Sequence, residues 1–236
     1  MSPIVDDMEI ILFESSDFSN LPTASEINEM KRLAILNDLT YSIHFPIDRK
    51  AGAENTVERQ LFYEQVAEIL SLTRKLPVSG YVLHCEGITF NSDMYKIANW
   101  EIYINNLLSK LSEKHPEQLS QLCIENLGYN PLLNKSFIDT YKLNSCLDIG
   151  HLWLYECDWA TISETLFNTV KIIHFHGVSN GKDHTSIKKH DNKPELELFV
   201  KKILKKYTNT VTLEVFNEED TFESLEYLGK LWEISH

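Results

Sequence analysis

"VKIIHFHG", Val170 to Gly177, is the stretch on which the fold turns. Its β-branched and aromatic residues run without the strict polar alternation of a half-solvated strand, which marks a strand covered on both faces. It then leads into "VSNGKDH", so that His174, His176, Asp183 and His184 crowd the place where an apolar run stops. Six similar runs lie elsewhere: "EIILFE" at Glu9, "YSIHFP" at Tyr41, "YVLHCEG" at Tyr81, "LCIENLGY" at Leu122, "SCLDIGHLWLY" at Ser145 and "TVTLEVF" at Thr210. Amphipathic segments separate them. Ile27, Met30, Leu33 and Ala34 repeat at helical spacing behind a capping-type Ser25, and further helices are expected from about Glu54 to Lys75, Asp93 to Lys114 and Ser136 to Lys142. Others are expected from near Asp158, from a first turn containing Pro194, and through Leu225, Leu228 and Leu231. Strand alternating with helix is the pattern of a parallel sheet with crossover helices.

The expected fold is therefore an α/β barrel of the TIM type, forming a single domain over residues 1–236. Seven strands are visible where a closed barrel has eight. The N-terminal strand is either absent or hidden in "MSPIVDD". An open edge beside Glu9 and Thr210 would favour pairing into a homodimer and loosen the site, making this chain weakly active by itself.

Charge removes one class of partner. Against 22 Lys and Arg stand 35 Asp and Glu, a formal net charge of −13, whereas nucleic-acid binding rests on cations that replace phosphate counterions. Cys85, Cys123, Cys146 and Cys157 form no C-x-x-C pair, and three of them sit in apolar runs, as reduced thiols do. With no basic-then-apolar leader and no apolar stretch near the length of a membrane span, a cytoplasmic protein without membrane partners is expected.

Chemistry recurs at one position in each unit. His44 closes the second strand run, His84 the third, Glu125 the fourth, Asp148 the fifth, His174 the sixth and Glu214 the seventh. A barrel gathers the C-terminal ends of its strands on one face, where three imidazoles and three carboxylates make a ligand set for zinc, manganese or iron. A lone histidine at a strand end is ordinarily a hydrogen-bonded structural residue. A carboxylate inside "LCIEN" or "VTLEV" has no such ordinary reading, because a buried charge must be paired or metal-bound. His151, three residues after Asp148, is a further ligand or a cap contact, and His176 is a neighbour or substrate contact of His174. Asp183 and His184 are placed on a polar loop. Phe45, Phe90, Trp153, Tyr155 and Phe175 are candidates to line a substrate pocket, with Lys182 and Lys188 as weaker phosphate contacts.

These residues resemble the xylose-isomerase-like barrel superfamily, which includes endonuclease IV and sugar-phosphate isomerases and epimerases, and the likeness covers nearly the whole chain. The phrases "DDMEIILFES", "LCIENLGY", "CLDIGHLWLY", "IIHFHGVSNGKDH" and "VTLEVFNEED" look most like cobamide-remodelling phosphodiesterases, which hydrolyse the nucleotide loop of vitamin B12-type cofactors. The resemblance implies that Glu125, Asp148, His174 and Glu214 form a shared metal quartet, that His44 and His84 hold a second ion, and that His151 and His184 serve a third site. The endonuclease pattern has an Asp-x-His pair there, whereas Asp183 and His184 are adjacent. It further implies two divalent ions, zinc or manganese, a corrinoid substrate, and catalytic roles for Glu125, Glu214 and His176. The first function expected is phosphodiester hydrolysis releasing the lower-ligand nucleoside and cobinamide-phosphate. A single-metal sugar-phosphate isomerase or epimerase comes second, a corrinoid- or metal-binding module third, and an endonuclease last for want of a basic groove.

Overall fold

The computed structural model describes residues 5–13 and 18–234, so most of "MSPIVDD" lies outside the described residues. They fall into two compact units, residues 1–146 and 147–236. The first contains β1 (Asp7–Ile11), α1 (Ala24–Asn37), β2 (Thr40–His44), α2 (Thr56–Thr73), β3 (Val78–Leu83), α3 (Met94–Lys114), α4 (Pro116–Leu119), β4 (Leu122–Glu125), α5 (Lys135–Tyr141) and most of β5 (Asn144–Asp148). The second contains α6 (Ile149–Leu154), α7 (Trp159–Leu166), β6 (Val170–Phe175), β7 (Gly177–Ser179), β8 (Lys182–Thr185), α8 (Lys193–Lys202), β9 (Thr210–Leu213) and α9 (Glu218–Ile234).

Pairing is parallel from β1 to β2, β2 to β3, β3 to β4, β4 to β5 and β6 to β9. The seven parallel strands follow the order β1-β2-β3-β4-β5-β6-β9, with β1 and β9 as end strands. All seven runs singled out in the sequence are strands. Their ends carry the chemistry as expected: His44, Glu125 and Asp148 are last residues, His174 is next to last in β6, and His84 and Glu214 directly follow β3 and β9.

Local signals set the helix ends. Thr23, rather than Ser25, caps α1: its hydroxyl accepts the Glu26 N–H while the Glu26 carboxylate accepts the Thr23 N–H at 2.8 Å. That is a reciprocal capping box, and Ser25 cannot form one because Asn28 stands where the carboxylate would be. Asn55, Asp93, Asp158 and Asn192 cap α2, α3, α7 and α8 with side-chain oxygens that accept first-turn N–H groups. In the first unit the helices bury Phe62, Val66, Ile69, Trp100, Ile104 and Leu108. In the second, Leu152, Ile162, Ile173, Phe175, Leu196 and Phe199 form a separate core. Cys85, Cys123, Cys146 and Cys157 are free thiols, the first three buried. No helix among the described residues is long and apolar enough to cross a membrane.

Two elements depart from the sequence reading. Asp183 and His184 belong to the hairpin β7–β8, not to a polar loop. Its turn residues Asn180 and Gly181 both have positive φ, +52° and +71°, as the tight turn that matches strand twist requires. The second departure is α6, which begins at once after β5 because the Asp148 carboxylate accepts the His151 N–H at 2.7 Å.

A polar clasp holds the end strand β1. The Asp7 carboxylate accepts the Thr40 hydroxyl at 2.5 Å, the Ser42 hydroxyl at 2.6 Å and the Ser42 N–H at 3.2 Å. Ser42 is fully buried, so Asp7→Ala would orphan its hydroxyl at a cost of about 1–3 kcal/mol. Chemical denaturation of the variant is expected to show that loss, and Asp7→Asn, which keeps one acceptor, a smaller one.

Candidate metal centres

The first unit brings three site residues together. His44, His84 and Glu125 each offer a ligand atom within 4.8 Å of the others. Nε2 of His84 lies 2.8 Å and Nε2 of His44 3.5 Å from the same oxygen, Oε2 of Glu125, and the two rings meet edge to face at 4.7 Å. The tautomer of His44 follows from its other nitrogen. Nδ1 is 2.8 Å from the Phe45 carbonyl oxygen, an acceptor, so Nδ1 carries a proton and Nε2 is the nitrogen turned toward the carboxylate. A carboxylate buried between two imidazoles calls for positive charge beside it. A divalent cation meets that need, and the carbonyl behind His44 is the orienting partner typical of a ligating imidazole. Without a cation the charge resides on His84. Burial opposes it, but Glu125 and, at 3.6 Å, Glu86 outweigh burial and push the His84 pKa up to about 9.

The second unit is organised by Asp148, which is fully buried. Besides capping α6, it lies 3.1 Å from Nδ1 of His151 and 3.2 Å from Nε2 of His176. The His184 N–H points at Nδ1 of His176 at 2.9 Å, which leaves Nε2 to face Asp148. Burial works against charge on His176, yet Asp148 and Glu214 raise its pKa above the usual imidazole value. The His176 ring is also fixed by shape, since a Cβ on Gly150 would come within 2.0 Å of its Cε1. His174, wholly buried, places Nδ1 3.0 Å from Oε2 of Glu214.

His151, His176 and His184 form a further group with ligand atoms within 4.8 Å of one another. Asp183 joins them at 3.9 Å from Nε2 of both His151 and His184. Neighbouring residues on a strand ordinarily point to opposite faces. His184 has φ +49°, which breaks the alternation and lets adjacent Asp183 and His184 serve one place, as a spaced pair would.

The remaining expected contacts lie elsewhere. Phe45 and Phe175 are closed into the two cores at 1% and 0% exposure, Phe45 stacked on Tyr81 and Phe175 against Trp153 and Phe199. Trp153 is buried too, whereas Phe90 and Tyr155 are exposed. Lys182 is exposed on the hairpin, and Lys188 is held 3.0 Å from Glu223. The sequence reading did not single out His190. Its Nδ1 accepts the Val178 N–H at 3.1 Å, its ring lies 4.2 Å from that of Trp153, and burial followed by the nearby Lys193 lowers its pKa to about 4. "KKHDN" carries no sign of that burial.

A family model described as xylose isomerase-like TIM barrel matches residues 5–231. Among solved structures, a D-tagatose 3-epimerase-like protein superposes with a TM-score of 0.76 at 20% identity, covering 98% of this chain and 89% of that one. A Thermus thermophilus protein in crystals soaked with zinc chloride gives 0.75 at 16%, covering 97% and 89%. Endonuclease IV from the same organism gives 0.67 at 14%, covering 96% and 98%. No curated protein matches the sequence.

Two outcomes are expected from this geometry. Gly150→Ala should push the His176 ring away from Asp148 and the His184 N–H and so weaken cobalt binding by the His151–Asp183–His184 group while leaving the His44–His84–Glu125 group loaded, read from the visible absorption of cobalt-loaded protein. His190, whose folded pKa lies below the ordinary 6.5, favours the fold only while neutral. Its contribution is complete above about pH 6.5 and is lost as pH falls toward about 4, which an imidazole NMR titration against pH-dependent denaturation would follow.

Proposed function

The chain belongs to the xylose isomerase-like TIM barrel family, and from that membership and its histidine clusters we propose that it is a divalent-metal-dependent phosphodiester hydrolase. The observation that carries the reading is the His44–His84–Glu125 group, in which two imidazoles converge on one carboxylate oxygen. An isomerase or epimerase using one ion has no need of that group. A bound divalent cation supplies Lewis acidity at a phosphoryl oxygen and makes water ionisable near neutral pH. In this reading His44, His84 and Glu125 would hold one cation, and Asp148, His174 and Glu214 would hold a second. His151, His184 and Asp183 are the donors for a third. His176 holds the Asp148 carboxylate in place, and Glu125 and Glu214, buried beside imidazoles, are the candidates for proton transfer. The cobamide nucleotide loop is the proposed substrate on the strength of the sequence phrases that resemble cobamide-remodelling phosphodiesterases.

A second reading, isomerisation or epimerisation of a sugar at one divalent ion, is favoured by the family description and by the epimerases among similar structures. The comparisons by themselves lean that way, and at these identities the structural likeness speaks only for the fold. In the second reading Glu125 and Glu214 exchange a proton at carbon, and His44 and His84 are bystanders.

The test separates the two. Metal-loaded protein is incubated with a cobamide and with a simple aryl phosphodiester, and in parallel with ketoses in deuterated water. Nucleoside or phenol release, lost by about a hundredfold or more in His44→Ala and His84→Ala, is expected for the hydrolase. Deuterium incorporation into a ketose, unchanged in those variants, would establish the epimerase instead. Glu125→Gln is expected to abolish turnover under either reading and to lower metal content under the first.

A further inference from the structure

We propose that Arg49 is the residue that recognises the substrate's phosphoryl group beside the His44–His84–Glu125 centre, an inference that rests on the phosphodiester reading and narrows it. The chain has four arginines. Arg32 is bound in bidentate fashion by Glu29, Arg59 donates to the carbonyls of Ala53 and Glu54 and lies over the Tyr103 ring, and Arg74 is exposed at the end of α2. Arg49 is different. It is partly exposed, but its Nε is enclosed and has no hydrogen-bond acceptor. A charged donor enclosed without an acceptor is costly, and in a chain with 35 carboxylates it is not for want of available partners.

Position gives the group its meaning. Arg49 follows His44 by five residues, in the segment that joins β2 to α2. That segment is pinned rather than loose. The Gly52 N–H donates to the Glu86 carbonyl at 2.7 Å, Lys50 Nζ lies 3.7 Å from the Glu86 carboxylate, and the Lys50 N–H donates to Glu58. Gly52 and Gly87 cross so closely that a Cβ on Gly87 would stand 2.4 Å from the Gly52 oxygen. The other oxygen of the Glu86 carboxylate faces Nδ1 of His84 at 3.6 Å. One short network thus fastens the Arg49 segment to the residues that position the metal ligand His84.

Electrostatics requires such a residue. Glu125, Glu86 and the overall charge of −13 oppose the approach of an anion, and two lysines that could offset them are taken up, Lys188 by Glu223 and Lys50 by Glu86. A guanidinium presents a planar fork that matches two oxygens of a phosphoryl group, and its charge does not depend on pH in the working range. With its backbone segment fastened by the network above, Arg49 loses less freedom on binding than a residue of a loose loop.

Inorganic phosphate and phenyl phosphate are the probes, titrated by calorimetry into chelator-treated protein and into zinc-loaded protein. Expected is a Kd raised about tenfold or more in Arg49→Ala and Arg49→Gln in both forms, partly recovered in Arg49→Lys, and unchanged in the charge control Arg74→Ala. Circular dichroism confirms that the variants are folded, and should Arg49→Ala fail to fold, Arg49→Gln decides. Equal affinity in the Arg49 variants and the parent overturns the inference. Arg49-dependent phosphate binding in a protein that cleaves no phosphodiester leaves the inference standing and removes the hydrolase, pointing to a phosphorylated sugar. Phosphodiester cleavage indifferent to Arg49 does the reverse.

Discussion

A carboxylate buried at the end of an apolar strand is the constraint around which each half of this protein is arranged. Glu125 ends a strand whose four residues are all buried, and Asp148 ends another with no exposure at all. Neither position tolerates an isolated charge, because the desolvation cost far exceeds the marginal stability of a domain. The chain meets the requirement with imidazoles. His44 and His84 surround Glu125; His151 and His176 surround Asp148. An imidazole can be a cation, a neutral donor or a metal ligand, so the same packing serves a protonated metal-free state and a metal-loaded one. A lysine or arginine in those places would neutralise the carboxylates permanently and exclude the cation.

The supporting contacts show how much of the structure answers to that demand. The Phe45 carbonyl fixes the His44 tautomer, Gly150 clears the space for the His176 ring, and the left-handed turn at His184 brings Asp183 to the same place as its neighbour. Asp148 both caps α6 and holds two histidines, so the helix that follows β5 cannot shift without moving the site. Local backbone geometry and metal-site geometry are thus one problem, solved by the same few residues.

The strands were legible because burial on both faces removes polar alternation and leaves short apolar runs, and their ends were legible because the first charged or imidazole side chain interrupts each run. What escaped the sequence reading did so for identifiable reasons. "IGHLWL" is as apolar as a strand, and so short a segment gives helical periodicity no room to declare α6. The hairpin was within reach, since Asn180-Gly181 is the strongest short turn signal, but histidines and lysines around it masked the alternation of its strands. The choice of Ser25 over Thr23 overlooked that only Thr23 has a glutamate three residues on. His190 and Arg49 were out of reach altogether, because enclosure of a single nitrogen is a property of tertiary packing and leaves no trace in local composition.

The acidic character of the chain bears on function in a way that composition alone does not reveal. Net charge of −13 argues against a nucleic-acid backbone as partner, and it also raises the question of how any anionic substrate would approach. In the proposed function, cations bound at carboxylate-rich centres would reverse the local field while leaving the distant field negative, adding to the pull of Arg49 on an anion. In that picture polyanions, whose charge extends beyond that short range, would remain repelled. Discrimination between a small phosphoester and a nucleic acid then needs no shape selection at the mouth of the site. In the proposed function, the same buried carboxylates that would hold the divalent cations sit in a chain whose negative charge disfavours long polyanionic substrates.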